Sequence, residues 1–313
     1  MSRIAYILRR LLQMIPTALG VTILVFFLIH LIPGDPARAF LGPHATASLV
    51  NAFDKRWGLN QSLPVQYWLF LSRLVRGDLG TSFFYQLPVT TLIMQRIGCT
   101  LLLLLYATVF TIAITVPLAL IAATKRDSLR DHIIRGIPLV GLGMPTFWVG
   151  IMLILTLGLK LQLFPVGGYG NGLLDHLWSM VLPGLTVAFA ISPMTIRSLR
   201  ASMLGILESD FVTTARSKGI PERRVIGIHA MRNAVIPAIT VLSLNIGWLV
   251  GGSVVIEQVF ALPGLGELMF EGIFNRDFAV VQGVTLVFAV LIILVYLATD
   301  IVYSFVDPRV RLT

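Results

Sequence analysis

Charge is scarce in this sequence. Asp, Glu, Lys and Arg make up 12% of 313 residues, hydrophobic residues 56%, and mean hydropathy is +0.87. A soluble domain carries about 25% charged residues, so the composition excludes one and places the chain in a membrane. Cysteine is scarcer still. Cys99 stands alone, which excludes an intrachain disulfide and a cysteine metal cluster. The histidines, His30, His44, His132, His176 and His229, form no HExxH and no close pair, so no metal site is expected. No Ser/His/Asp or paired-carboxylate set suggests catalysis, so no catalytic residue is assigned. There is no GxxxxGK[ST] phosphate loop either, and so no ATP site of that kind on this chain. No short-period repeat or low-complexity tract is present.

Long apolar runs are abundant. A bilayer span needs about 20 mostly apolar residues. Six stretches meet that length: Leu11–Ile32, Gly98–Ala123, Gly136–Leu159, Trp178–Ile196, Ile236–Ile256 and Val281–Tyr303. The expected fold is all-α and integral to the membrane, with six transmembrane helices. Lys and Arg placement then orients the chain. One face collects Arg3, Arg9 and Arg10, those between residues 125 and 135, those from Arg197 to Arg232, and Arg309 and Arg311, sixteen of the 24. The other face holds eight, so the richer face is expected to be cytoplasmic, with both termini on it. The net charge of +9 is thereby a topology signal, and nucleic acid is not an expected partner. The first run is too long for a typical signal core, despite small residues at Ala37-Arg38-Ala39, and is expected to remain as an anchor.

The chain divides accordingly into residues 1–32 (inner end and first span), an outer loop 33–97, a five-helix core 98–308 and an inner tail 309–313. The outer loop opens on a turn at Pro33-Gly34-Asp35-Pro36-Ala37. A short helix is expected to start near Asn60–Pro64, with Tyr67 and Trp68 suited to the lipid–water interface. Gly77–Ser82 reads as a further turn. Prolines in the spans either kink helices around a cavity or reflect the ordinary frequency of proline in membrane helices, and Gly247, Gly251 and Gly252 have the small-residue spacing of close helix contacts. Asp300 lies within the last span, where a carboxylate is either a functional group or, the preferred expectation, paired at the interface with Arg197 or Arg200. Glu257, at the outer end of the fifth span, either approaches a pathway mouth or meets water.

The inner loop 197–235 is too long for a hairpin turn. Ser209 and Asp210 suit a helix start. Phe211, Thr214, Ala215 and Lys218 follow at helical spacing, and Gly219 and Pro221 stop the helix. A second helix is expected from Glu222 to Asn233, leading through Pro237 into the fifth span. Small residues Thr213, Thr214 and Ala215 let a partner backbone approach. Arg216, Lys218, Arg223 and Arg224 suit acidic partner groups. The residues alone leave two readings open, a docking element for another protein or a basic patch on anionic lipid.

This loop carries a resemblance. Thr213-Thr214-Ala215, with Gly219 four residues beyond Ala215, resembles the EAA-type coupling loop of ABC importer permeases. TARSKG followed by HAMRNAVIP is similar to the dipeptide/oligopeptide/nickel branch of that family. Thr213 stands where the general loop has Glu, and the closing proline comes late, at Pro237; both departures are typical of the peptide branch. The likeness covers nearly the whole chain: IPTALGVTILVFFLIHLIPGDPA, LPVQYW, GDLGTS, GMPTFWVGI, LFPVGGYG, GGSVVIEQVFALPGLGEL, NRDFAVVQG and DPRVR, in order.

The resemblance implies a type I ABC importer permease fold and a non-catalytic subunit in a bacterial or archaeal cytoplasmic membrane. Asp210, Phe211, Thr214, Ala215, Arg216, Lys218 and Gly219 would couple to an ATPase, and Asn245, Gly251, Ser253 and Glu257 are expected along the translocation pathway. The implied partners are a second permease in a heterodimer, two ABC ATPases and a periplasmic or lipid-anchored solute-binding protein, with membrane lipid around the spans. ATP and Mg would be bound by the ATPases and no cofactor by this chain. Short peptides are the expected cargo, with nickel chelates, glutathione and oligosaccharides as alternatives within the family. A self-sufficient secondary transporter is the competing class, and it lacks the expected coupling carboxylates beyond Asp300.

Overall fold

A computed structural model describes residues 3–30, 41, 45–57 and 60–306. The expected turn at Pro33–Ala37, the small-residue site at Ala37–Ala39 and the tail 309–313 lie outside the described residues. Every regular element among the described residues is helical: α1 (Arg3–His30), α2 (Ala47–Trp57), α3 (Leu63–Val75), α4 (Val89–Thr124), α5 (Leu129–Leu142), α6 (Thr146–Leu153), α7 (Leu173–Ser179), α8 (Val181–Leu207), α9 (Asp210–Ser217), α10 (Met231–Val259), α11 (Leu265–Phe274) and α12 (Phe278–Val306). Wider π turns extend α6 over Ile154–Lys160 and lead into α10 over Val225–Ala230.

Five helical segments are long and apolar enough to cross a bilayer: Arg9–Phe27, Val89–Thr124, Leu173–Leu207, Glu222–Val259 and Phe278–Val306. They overlap five of the six expected spans. The remaining one, Gly136–Leu159, is broken into α5 and α6. Pro145 stands at the N-cap of α6 with φ −58° and ψ 136°, outside the helical region. A residue before proline avoids the α conformation, so the Gly143-Met144-Pro145 sequence interrupts the run, and hydropathy does not register the break.

The chain forms two compact units. The first comprises Met1–Arg10, Leu101–Leu262 and Leu294–Thr313. Its central element is α8, part of Leu173–Leu207, the most buried of the five bilayer-length segments. Helix α8 packs on α5, α6 and α10. Ala119 and Ala123 of α4, Ile196, Leu199 and Met203 of α8, and Ala234 and Ala238 of α10 share one buried cluster with Ala230. Alanine dominates it because helices inside a membrane gain contact by close backbone approach. Gly184 shows the same requirement: a Cβ there would lie 2.7 Å from Tyr106. Gly247 is close but less tight, with the Tyr296 hydroxyl 3.0 Å from its Cβ position, whereas Gly251 and Gly252 face open space. Of the three expected contact glycines, one serves that purpose here.

Two hydroxyl contacts join α10 to α12, Ser243 to Thr299 at 2.6 Å and Thr240 to Tyr303. Asp300 pairs with Arg10 at 3.4 Å. This corrects the expected pairing with Arg197 or Arg200, because an arginine of α1, remote in sequence, reaches the carboxylate and Arg200 is held elsewhere.

The second unit comprises Leu11–Thr100 and Pro263–Ile293. Helix α3 begins after Ser62 with Pro64 in its first turn, close to the expected start. Trp68 is 71% exposed, while Tyr67 packs edge-on to Phe26 and shares a 2.8 Å hydrogen bond with Thr22. The turn at Gly77–Ser82 forms with Gly77 and Gly80 at φ +75° and +88°. Ser82 and the Phe84 N–H both donate to the buried Asp277 carboxylate. The Tyr85 hydroxyl donates to Glu271, and Arg96 bridges Glu267 and Glu271 at 3.0 and 3.2 Å. Burial and the neighbouring Glu271 raise the Tyr85 phenol to about 12. Burial likewise raises Glu267, with Arg96 opposing.

Candidate functional site

The inner loop folds as α9, a closed turn and a rising helix. Helix α9 starts at Asp210, and its acidic side chain lies in the first turn, where it complements the helix dipole. Ser209 holds the N-cap position, yet its hydroxyl turns back to the Ile206 carbonyl at 2.5 Å and makes no cap bond. The carbonyl of Ser209 accepts instead, from the N–H groups of Val212 and Thr213.

The C-terminal end is closed more tightly. Gly219 has φ +74°. Its N–H donates to Arg216 at 2.9 Å and the Ile220 N–H donates to Ala215 at 3.3 Å. Those two bonds are the Schellman arrangement, which satisfies carbonyls that a helix end leaves open. The accompanying apolar contact is present too, since Ile220 packs on the buried trio Val212, Ala215 and Val225. The bend at Gly219 therefore follows directly from sequence: a left-handed residue costs little only as glycine, and Pro221 then prevents continuation.

The geometry divides the expected coupling residues into two sets. Ala215 is 8% exposed and faces inward with Val212, so it anchors the loop to its own protein. Asp210, Phe211, Thr214, Arg216, Lys218 and Gly219 are exposed, and Phe211 shows 44% of its surface. Arg216 is committed to a two-pronged pair with Glu222, at 3.1 and 2.7 Å, which raises its already high pKa. It braces the turn. The free-standing surface thus centres on Phe211, Thr214 and Lys218. The expected second helix does not end at Asn233. Glu222–Arg224, the π turn and α10 run on as one segment, with Pro237 inside α10.

The expected pathway residues separate likewise. An open cavity of about 420 Å³ is lined by α6, α8 and α10 residues, among them Phe147, Ala190, Asn245, Trp248 and Gly252. Asn245, Trp248, Gly252 and Ile256 recur at helical spacing, so one face of α10 forms the wall. Asn245 donates to the Val241 carbonyl at 2.7 Å. Gly251 is exposed beside that face but does not line the cavity. Ser253 and Glu257 are fully buried on another face of α10. For Glu257 this overturns exposure to water. Trp248, 82% exposed and on the cavity wall, was missed by sequence reasoning. Its signal was a lone tryptophan between Asn245 and Gly252 in an apolar span.

Among the described residues no group of three potential metal ligands converges. His176 stacks flat on Tyr169, 3.8 Å between ring centres, in the outer loop. That loop is pinned by the Gly168 N–H donating to Phe260 at 2.8 Å, and a Cβ at Gly167 would lie 2.9 Å from the same carbonyl.

Known proteins resemble this chain in sequence and fold. The chain is 39% identical to an oligopeptide transport system permease protein of Bacillus subtilis, over 98% of this chain and 99% of that protein. It is 37% identical to a dipeptide transport system permease protein of Alkalihalophilus pseudofirmus, over 98% and 99%. It is also 37% identical to a glutathione transport system permease protein of Escherichia coli, over 98% of each. A methionine ABC transporter in an inward-facing conformation shares the fold, with a TM-score of 0.57 and 15% identity over 69% of this chain and 96% of that one. The match to the family's N-terminal region spans residues 3–104, and the match to its main region spans residues 115–312. A multi-pass helical chain with a helix–glycine–helix loop between its spans and these full-length relatives belongs to the binding-protein-dependent transport system inner membrane component family, the permeases of ABC importers.

Proposed function

We propose that this chain forms half of the translocation pathway of an ATP-driven importer of short peptides, with α9 as its docking element for an ABC ATPase. The observation that carries the reading is the loop geometry. A two-turn helix is closed by a Schellman glycine and anchored inward by Val212 and Ala215, and it presents Phe211, Thr214 and Lys218 outward. A segment so fixed by its own chain, with an aromatic and a cation left outward, suits a preformed protein groove. Burying a rigid surface costs less ordering entropy than burying a mobile one.

In this reading two ATPases bind ATP and Mg, close, and drive α9. This chain binds no cofactor and catalyses nothing. A second permease, different in sequence, completes the pathway, and a solute-binding protein delivers cargo on the outer side. The family's dependence on a binding protein supports that last partner. Both termini lie in the cytoplasm, in keeping with the excess of Lys and Arg on that face. The wall containing Asn245, Phe147 and Trp248 is neutral, and a neutral wall suits a varied set of peptides. Glutathione is the second reading, supported by the 37% identical relative; as a tripeptide it falls within the same size class.

Affinity purification of the detergent-solubilised chain tests the reading, with mass spectrometry of what is retained. Two ATPases and a second permease are the expected result for the native chain, and loss of the ATPases alone for Gly219→Asp. A homo-oligomer without ATPase under every detergent and salt condition would replace the reading with a secondary transporter.

A further inference from the structure

The inner end of the first unit holds an ion pair, buried at its carboxylate and partly exposed at its arginine, that nothing in the proposed docking surface requires. Asp131, on the first turn of α5, has no exposed surface. Arg200 of α8 grips both of its carboxylate oxygens, from Nε at 2.7 Å and from a terminal nitrogen at 2.6 Å. The Asp127 N–H donates to the same carboxylate at 3.1 Å, and Arg135 stands 3.4 Å away. Hydrogen bonding from Arg200 holds the Asp131 carboxyl below the usual carboxylate range. A second, exposed pair joins the same two segments, Arg126 to Glu208 at 2.7 Å. Glu208 immediately precedes Ser209 and α9.

Both pairs bridge the first inner loop to the stem that carries α9. A two-pronged guanidinium–carboxylate pair fixes orientation as well as distance. A buried pair contributes little stability over apolar packing of the same size, so a mechanical role accounts for it better than a stabilising one. Beyond α5 the chain breaks at Met144-Pro145 and resumes as α6, whose residues Thr146 and Phe147 line the 420 Å³ cavity.

We propose that the Asp131–Arg200 pair is a positioning clasp that passes displacement of α9 to α5, and across the break to the α6 wall of the cavity. The proposal rests on the reading of α9 as an ATPase-docking helix. Without the clasp, motion of the loop stem travels along α8 and α10 alone. Arg200 and Asp131 act through α5 and touch no cargo in this scheme.

The test uses the full complex with its ATPases, in a Cys99→Ala background. One sample carries spin labels at Leu129→Cys and Leu173→Cys, both highly exposed and both in the first unit. A second carries them at Ser217→Cys, exposed on the last turn of α9 and outside the proposed docking residues, and at Leu173→Cys. Distances are measured without nucleotide and after trapping with ATP and vanadate. In the native clasp both label pairs are expected to respond. In Asp131→Asn the Ser217 response persists, and the Leu129 response falls to about half or less, since coupling between sites runs through elements with discrete arrangements. Arg200→Lys keeps the charge but loses the fork, and the same selective loss is expected in it, so the test stands even if Asp131→Asn fails to fold. An unlabelled Asp131→Cys/Arg200→Cys pair, joined by a reducible thiol cross-linker, is expected to show a higher ratio of transport to ATP hydrolysis before reduction than after.

A native-sized Leu129 response in both single variants overturns the clasp while leaving α9 docking intact. A native complex that retains no ATPase, or whose Ser217 labels never respond, overturns the docking reading and the clasp with it.

Discussion

The inner loop around α9 and the outer segment from Gly77 to Val89 are both irregular and both held firmly, but by different forces. The inner loop is held by backbone hydrogen bonds and three small apolar side chains, Val212, Ala215 and Val225. The outer segment is held by polar side chains, the buried Asp277 and the partly exposed Glu271 and Arg96. Apolar anchoring from below leaves an entire helix face available above. Polar anchoring consumes the side chains that might otherwise recognise something. That contrast accords with the docking role proposed for the loop around α9, and it makes the outer segment a brace within its own unit.

The comparison breaks most sharply at Asp277. Asp277→Ala leaves the Ser82 hydroxyl and the Phe84 N–H without their acceptor, and a buried polar group left unsatisfied costs about 1–3 kcal/mol. The outer segment should detach, visible as faster hydrogen exchange over residues 78–88, with the inner loop unchanged. Gly219→Val comes next. A side chain at φ +74° costs about 1–2 kcal/mol, and here open space surrounds the position. The strain should therefore open the loop without disturbing packing. The expected readout is lost ATPase retention at unchanged thermal stability of the spans.

pH sharpens the comparison from the other side. Tyr85 is raised from 10.0 to about 12, so the fold favours its protonated form. Its contribution is complete below pH 10 and is lost as pH rises towards about 12. Alkaline titration should loosen the outer segment in the native chain, and Tyr85→Phe should remove that dependence at a cost of about 1 kcal/mol. The smallest effect is expected for Arg216→Ala. Its pair with Glu222 is exposed, at 43% and 53% of the two side chains, and exposed pairs contribute about 0–1 kcal/mol. A melting curve indistinguishable from native, together with slightly increased exchange at Ile220, is the predicted result.

Much of this was legible in the sequence because the physics was local. Bilayer thickness sets the length of an apolar run, and five of the expected spans coincide with long helices. Ser209, Gly219 and Pro221 punctuate α9 through dihedral preferences that need no tertiary partner. The broken third span was not read, although Met144-Pro145 signalled it, because hydropathy averages over the break. The inward turn of Ala215 was also missed: Thr213, Thr214 and Ala215 are all small, and only the position of Val225 decides which one is covered.

The sequence by itself determined that this chain lies in a membrane, where its apolar runs fall, and where an inner helix must stop. These follow from composition and from torsions within a few residues. Tertiary structure alone decided the pairings. Asp300 meets Arg10, Asp131 meets Arg200, and Asp277 gathers Ser82 and Phe84. A charge in a low-dielectric interior needs a partner, but the sequence offers several, and only the packing of helices far apart along the chain selects one.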